Sequence, residues 1–249
     1  NQQSVKNLTA TNGGTVTLYA VWQVNNYYFD LNGYLDGKGS GGISGYGTAD
    51  IYINGIQVAN DVSDYYSQHP YGSTYEIKDI KATTGHHYVG VYSGSLKGTI
   101  GAGNVSTSLR FDTNTYTVTY NGNGATSGST SSSSHTYGVA KNLTANGFSR
   151  TGYTFKGWST SSSGGVVYSN QQSVTNLTTT NGGTVTLYAV WQVNTYTNSI
   201  SHWTWGYTNQ EGNNGSKNAY HLGDTTFTKK YNENYTLGAA NAMTIPNGF

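Results

Sequence analysis

The sequence predicts an all-β protein, α+β at most where one short stretch could coil, assembled from tandem small β modules. Three observations carry this. There are 34 Gly and 23 Tyr, with abundant Thr, Ser and Asn and only 2 Pro, which is the composition of many short strands joined by tight turns. Period-two alternation recurs between Asn-Gly and Gly-rich breaks. One segment also occurs twice: residues 1–25 read NQQSVKNLTATNGGTVTLYAVWQVN and residues 170–194 read NQQSVTNLTTTNGGTVTLYAVWQVN, differing only at Lys6/Thr175 and Ala10/Thr179. A near-identical copy at a fixed offset marks duplication of a composite unit.

The elements follow in order. Residues 1–24 read as the C-terminal half of a module, with a strand at 15–22 that lacks a front half. The first residue is Asn and the only methionine is Met243, so the chain is expected to be a piece of a longer protein. Residues 25–114 hold strand candidates at 27–31, 49–53, 75–80, 88–92 and 105–111. These are separated by Asn32-Gly33, Asn54-Gly55, Gly85 and residues 101–104, a spacing that predicts a β-sandwich-like module. The stretch at 62–69 breaks the alternation and is expected to form one or two helical turns. Its neighbour at 75–90, YEIKDIKATTGHHYVG, resembles strand-turn-strand segments of prealbumin-like and immunoglobulin-like bacterial surface modules.

Residues 115–192 contain the complete version of the repeated module. The strand Tyr116-Thr-Val-Thr-Tyr120 is followed by the turn Asn121-Gly-Asn-Gly124, and a Ser-rich stretch at 127–134 reads as a flexible loop. Then come Tyr137-Gly138, Gly152-Tyr-Thr-Phe-Lys-Gly-Trp158 and Thr184-Val-Thr-Leu-Tyr-Ala-Val-Trp191, the last placing Val185, Leu187, Ala189 and Trp191 on one face. Tyr153, Phe155, Trp158, Leu187 and Trp191 form the predicted core. Residues 193–249, with His202-Trp-Thr-Trp205 and a Gly/Asn-rich run, read as the start of a further module or a short terminal one.

The order YxVxYNGNG, YG, GYTFKGW and LYAVW resembles the internalin-type B repeat, or Listeria-Bacteroides repeat, over 115–192 and again over the partial copy at 1–24. The resemblance implies small β-grasp-like modules flanking the sandwich, found in secreted and wall-attached bacterial proteins and without catalysis of their own. Asn123 and the extended Ser-rich loop depart from the family pattern, away from the expected core.

Chemistry has little to work with. Charged residues make up 9% of the chain and the net charge is +1, with no basic or acidic run, so neither nucleic acid nor a membrane surface is an expected partner. Cysteine is absent, which removes disulfides, thiol catalysis and thiolate metal sites. No GxSxG, HExxH, P-loop or Rossmann pattern occurs, and no catalytic, cofactor or metal residues are expected. Asp30, Asp36, Asp61, Asp64 and Asp79 lie in the central module and are read as turn residues and caps. The acidic loop from Asp30 to Asp36 lacks the ligand spacing of a calcium loop. His86 and His87 are strand neighbours that point to opposite faces.

Aromatic residues, 14% of the chain, are the richer signal, because planar rings stack on sugar faces. Trp22, Trp158 and Trp191 fall at positions that the resemblance makes structural. Trp203, Trp205 and Tyr207 form one candidate ligand-binding platform; Tyr65, Tyr66, His69, Tyr71 and Tyr92 form a second. The chain is expected to be a non-catalytic extracellular repeat segment of a bacterial cell-surface protein, serving as stalk or adhesion module. The alternative is a carbohydrate-binding module appended to a secreted glycan-degrading enzyme. Expected partners are a host or cell-wall glycan or a surface protein, together with self-association through the strand at 15–22.

Overall fold

The computed structural model describes residues 4–36, 38–40, 43–207 and 217–236. They form strands and turns, and no helix occurs among the described residues. The chain divides into two compact units, residues 1–113 and 114–249.

In the first unit residues 4–25 are all exposed and precede nine strands. These are β1 (Asn26–Leu35), β2 (Lys38–Ser40), β3 (Gly47–Ile53), β4 (Ile56–Val62), β5 (Tyr65–Pro70), β6 (Thr74–Ala82), β7 (His86–Ser93), β8 (Lys97–Thr99) and β9 (Val105–Thr113). One sheet runs β2-β1-β9-β7, with β5 against the first half of β1; the other runs β4-β3-β6-β8. Alternation puts Phe29 and Leu31 of β1 and Leu109 and Phe111 of β9 inward, against Ile51 and Ile53 of β3 and Tyr75 and Ile77 of β6. That makes a sandwich core. β1 and β9 are parallel, from Phe29 opposite Val105 to Leu35 opposite Phe111.

Three sequence expectations in this unit are corrected. The stretch expected to coil is strand β5, because Tyr65, Ser67 and His69 alternate with the exposed Tyr66, Gln68 and Pro70. Asn32-Gly33 lies inside β1, whereas Asn54-Gly55 does turn the β3–β4 hairpin, with φ of 50° and 79°. Residues 15–22 form no strand at all.

Three of the central aspartates shape or join strands. Asp61 and Asp79 have φ of 49° and 47° where the ladders of β3 shift register, so they are the left-handed residues of β-bulges. Asp36 accepts from the Thr113 amide (2.8 Å) and hydroxyl (2.9 Å), fastening the end of β1 to that of β9. His86 contacts the Thr83 hydroxyl at 3.1 Å through Nδ1, while His87 stands opposite Asp112.

The second unit contains β10 (Thr115–Asn121), β11 (Ser127–Gly128), β12 (Ser133–Thr136), β13 (Lys141–Asn142), β14 (Phe148–Ser149), β15 (Tyr153–Ser159), β16 (Ser173–Val174), β17 (Gly183–Val193), β18 (Thr195–Tyr207) and β19 (Lys217–Lys230). The main sheet runs β12-β10-β17-β15, with β10 and β17 parallel at its centre. Parallel neighbours need a long crossover; here it is made of turns, β12, β15 and the short pairs β11-β14 and β13-β16. The Ser-rich stretch expected as a flexible loop thus supplies β11 and part of β12.

The core of this unit is Tyr116, Val118, Leu143, Trp158, Val174, Leu187 and Ala189, with Phe155 and Trp191 packed against it. Trp158 has no exposed surface and is ringed by Tyr120 (4.7 Å), Phe155 (4.9 Å) and Phe148 (6.4 Å). Tyr153 is outside this cluster: it lies under the Arg150 guanidinium (3.9 Å) and edge-on to Tyr231. A bulge at Phe155/Gly157 re-aims Trp158 inward. Gly157 is required there, since its φ is +150° and a Cβ would meet Tyr168 O at 2.6 Å. β18 and β19 pair from Thr195 opposite Lys230 to Tyr207 opposite Lys217.

Candidate functional site

The outer face of the sandwich sheet is built from residues of β1, β9, β5 and β7. β1 turns Tyr28, Asp30, Asn32 and Tyr34 outward while Phe29 and Leu31 fill the core. β9 turns out Ser106, Arg110 and Asp112, with Ser108 buried between them, and the exposed positions of β5 include Tyr66. Cross-strand neighbours then meet. Tyr28 and Tyr66 stack at 4.3 Å with planes 8° apart. Tyr34 and Tyr92 of β7 stack at 3.9 Å, 22° apart, across the intervening β9.

Tyr34 stands six positions beyond Tyr28 on one strand, about 20 Å at the rise of a β-strand. A polar strip occupies that space. Asn32 Nδ2 donates to Asp30 Oδ2 (2.5 Å) and to Ser106 Oγ (3.0 Å). At the far end, opposite Tyr34 and beyond it, Arg110 grips Asp112 through both Nε (2.9 Å) and Nη2 (2.8 Å), in the bidentate geometry of a guanidinium and a carboxylate. Tyr66 and Tyr92 are 62% and 52% exposed, so the face carries two open aromatic pairs flanking a row of donors and acceptors.

The structure separates the residues expected to form one patch in this module. Tyr66 and Tyr92 lie on the outer face. Tyr65 points the other way: its ring packs on Phe29 (5.9 Å), and its hydroxyl bonds His69 Nε2 at 3.0 Å. Burial raises the Tyr65 phenol and lowers the His69 imidazole from their ordinary values. Tyr71 is exposed in the turn after β5, with its amide on Asn25 O. Tyr28 and Tyr34 escaped the sequence reading, although the period-two spacing of Tyr28, Asp30, Asn32 and Tyr34 is the signal for a decorated face.

Of the other expected platform, Trp203 is exposed on β18 and packs against His221 at 4.9 Å. Trp205 and Tyr207 belong to β18 by backbone pairing, and their side chains fall outside the described residues. Among the described residues no group of three or more His, Cys, Asp or Glu side chains could hold a metal ion.

In the second unit a central parallel pair, a buried tryptophan at the GYTFKGW position and an inward-facing LYAVW strand come together in one small core. Residues 116–190 match the Listeria-Bacteroides repeat domain. This is a bacterial surface repeat family, typical of extracellular or surface proteins. Trp158 and Leu187 of the repeat are thereby core residues, and Trp191 at its edge donates Nε1 to Gly122 O at 2.9 Å. No curated protein sequence matches the chain. A solved structure, that of the Bacillus anthracis TIE protein, is similar with a TM-score of 0.44 and 12% identity over 84% of this chain. The chain spans 44% of that protein.

Proposed function

We propose that the chain is a non-catalytic extracellular segment of a bacterial cell-surface protein, an adhesion module whose sandwich unit contacts glycans through its outer sheet face. The observation that carries this reading is the pair of open tyrosine stacks flanking the Asp30, Asn32 and Ser106 strip, with Arg110 opposite Tyr34. The ring faces and edges of tyrosine cover the apolar C–H surface of a pyranose, and a phenol keeps a polar handle for its hydroxyls. Convergent amide, hydroxyl and guanidinium groups then fix orientation. Both aromatic pairs are rigidly held by stacking, so little freedom is lost on contact.

The same face favours a second reading, a carbohydrate-binding module carried by a secreted glycan-degrading enzyme. Titration against panels of cell-surface glycans and of plant or storage polysaccharides separates the two, because only the second reading predicts binding confined to the enzyme-type polysaccharides. Under either reading Tyr66→Ala and Tyr92→Ala each weaken binding roughly tenfold or more, about 1.4 kcal/mol, with the melting of the unit little changed. A chain that binds no glycan at millimolar concentration, or binds equally after both substitutions, refutes the contact face.

A further inference from the structure

The two tyrosine stacks of the sandwich face lie on opposite sides of β1. Tyr66 pairs in the ladder with Asp30, two positions from Tyr28, so the Tyr28–Tyr66 stack leans toward β5. On the other side Tyr92 stands between Val91, opposite Leu109, and Ser93, opposite Ser108. The Tyr34–Tyr92 stack therefore reaches over β9 at the level of Ser108, which is buried although turned outward. A line from one stack to the other crosses β1 obliquely, past Asp30 and Asn32, with Ser106 opposite Asp30 at its side.

Three properties of this line select a ligand. It is long: Tyr28 and Tyr34 are rooted about 20 Å apart along the strand, further than a disaccharide reaches. It is also open. The cavities of this unit lie off it, one at Tyr52 and Thr99 and another at Ile77 and Leu96, so the line runs over sheet surface and a chain can continue past both stacks. Its charge is nearly balanced. Among the side chains that β1 and β9 turn outward, Arg110 and Asp112 neutralise each other. Asp30 is left as an acceptor for Asn32 and Ser106, and it faces an anionic ligand with repulsion.

Given the glycan contact proposed above, we infer that the ligand is the interior of a linear, uncharged polysaccharide lying obliquely across β1. Separate sugar units occupy the two tyrosine stacks, and the units between them hydrogen-bond to Asp30, Asn32 and Ser106. Once one stack is occupied, engagement of the other is intramolecular. Affinity therefore climbs when a chain becomes long enough to bridge them.

The test is calorimetric titration of the full chain with neutral β-1,4-linked ladders of glucose, mannose and N-acetylglucosamine, from disaccharide to hexasaccharide. The expected result is a ladder whose affinity rises about tenfold or more between those lengths. Tyr66→Ala and Tyr92→Ala each abolish the rise, leaving the hexasaccharide close to the disaccharide. Both side chains are exposed, and unchanged melting of the first unit verifies that both variants fold. A hexasaccharide of galacturonic acid, linear but anionic, binds more weakly than the neutral hexasaccharide and gains on Asp30→Asn. A disaccharide bound as tightly as the hexasaccharide, a rise that survives either tyrosine substitution, or a preference for the galacturonate chain overturns the inference and leaves glycan contact standing. Failure of every ladder and of the galacturonate chain at millimolar concentration, or binding indifferent to both tyrosine substitutions, overturns glycan contact at this face as well.

Discussion

The two copies of the LYAVW strand show how little of a strand's structure belongs to the strand. From residue 183 onward the sequence forms the eleven-residue β17 (Gly183–Val193), with Leu187 fully buried; from residue 14 onward the same letters form no strand and expose Leu18 and Trp22. What differs is the company. β17 has backbone partners on both sides and a buried tryptophan beneath it; residues 15–24 have neither. Period-two alternation is an instruction to pair, and β propensity expresses fit to a pleated, half-buried surface more than an intrinsic backbone preference. The turns before the two strands, by contrast, are alike, because Asn in the left-handed region and Gly after a threonine turn are local choices.

The largest expected effect comes from removing what the docked copy rests on. Trp158 is fully buried and in contact with three aromatic rings, so Trp158→Ala should cost about 3–5 kcal/mol. That is a large share of the stability of a small domain. Denaturant unfolding of the full chain should show the transition of the second unit displaced and that of the first unmoved. A second unit that barely shifts would mean that β17 is held by its backbone ladder alone.

The sharpest form of the comparison is one substitution made twice. Leu187→Ala removes a fully buried side chain from the centre of the repeat and should cost about 2–5 kcal/mol. Leu18→Ala, at the corresponding position of the free copy, should fall within about ±0.5 kcal/mol, the range of surface changes. Equal effects in the melts of the two variants would break the distinction between docked and free copies.

The sequence alone carried the alternation of the sandwich strands and of the repeat, because each inward residue, Phe29 and Leu31 or Val185 and Leu187, is separated from the next by one outward one. It was weakest where polar and aromatic residues alternate without an aliphatic marker. Residues 65–70 are such a case: the inward Tyr65 and His69 and the outward Tyr66 differ in environment and hardly in character. The candidate face was half legible. Tyr66 and Tyr92 could be named as exposed aromatics, but their partners Tyr28 and Tyr34 are brought to them by β1–β5 pairing and by the order β1-β9-β7. Those are long-range facts that no local window contains. The single outward run Tyr28, Asp30, Asn32, Tyr34 was the available clue.

The smallest effect expected is one of pH, and it too should touch only the docked copy. His135 of β12 is buried, stacks on Tyr116 at 5.3 Å and bonds the Ser133 hydroxyl at 2.9 Å through Nε2. Burial, aided by the positive charge of Lys141, lowers its imidazole from the ordinary value. In the unfolded chain the ring titrates near pH 6.5, so between that value and the lowered one the unfolded state binds more protons than the folded state. Stability therefore rises with pH across that window. It is fully present above about pH 6.5 and is lost as pH falls toward the folded-state value. Tyr116 is the first residue of β10 to pair with β17, so charging His135 loosens the strand that the free copy lacks. The melting temperature of the second unit should fall between pH 7.5 and pH 5.5, and His135→Gln should flatten that dependence. His69, lowered by burial in the first unit, contributes to a separate transition and supplies the internal control. If the His135→Gln variant retained the full slope of the second unit, the proton would have to be taken up elsewhere.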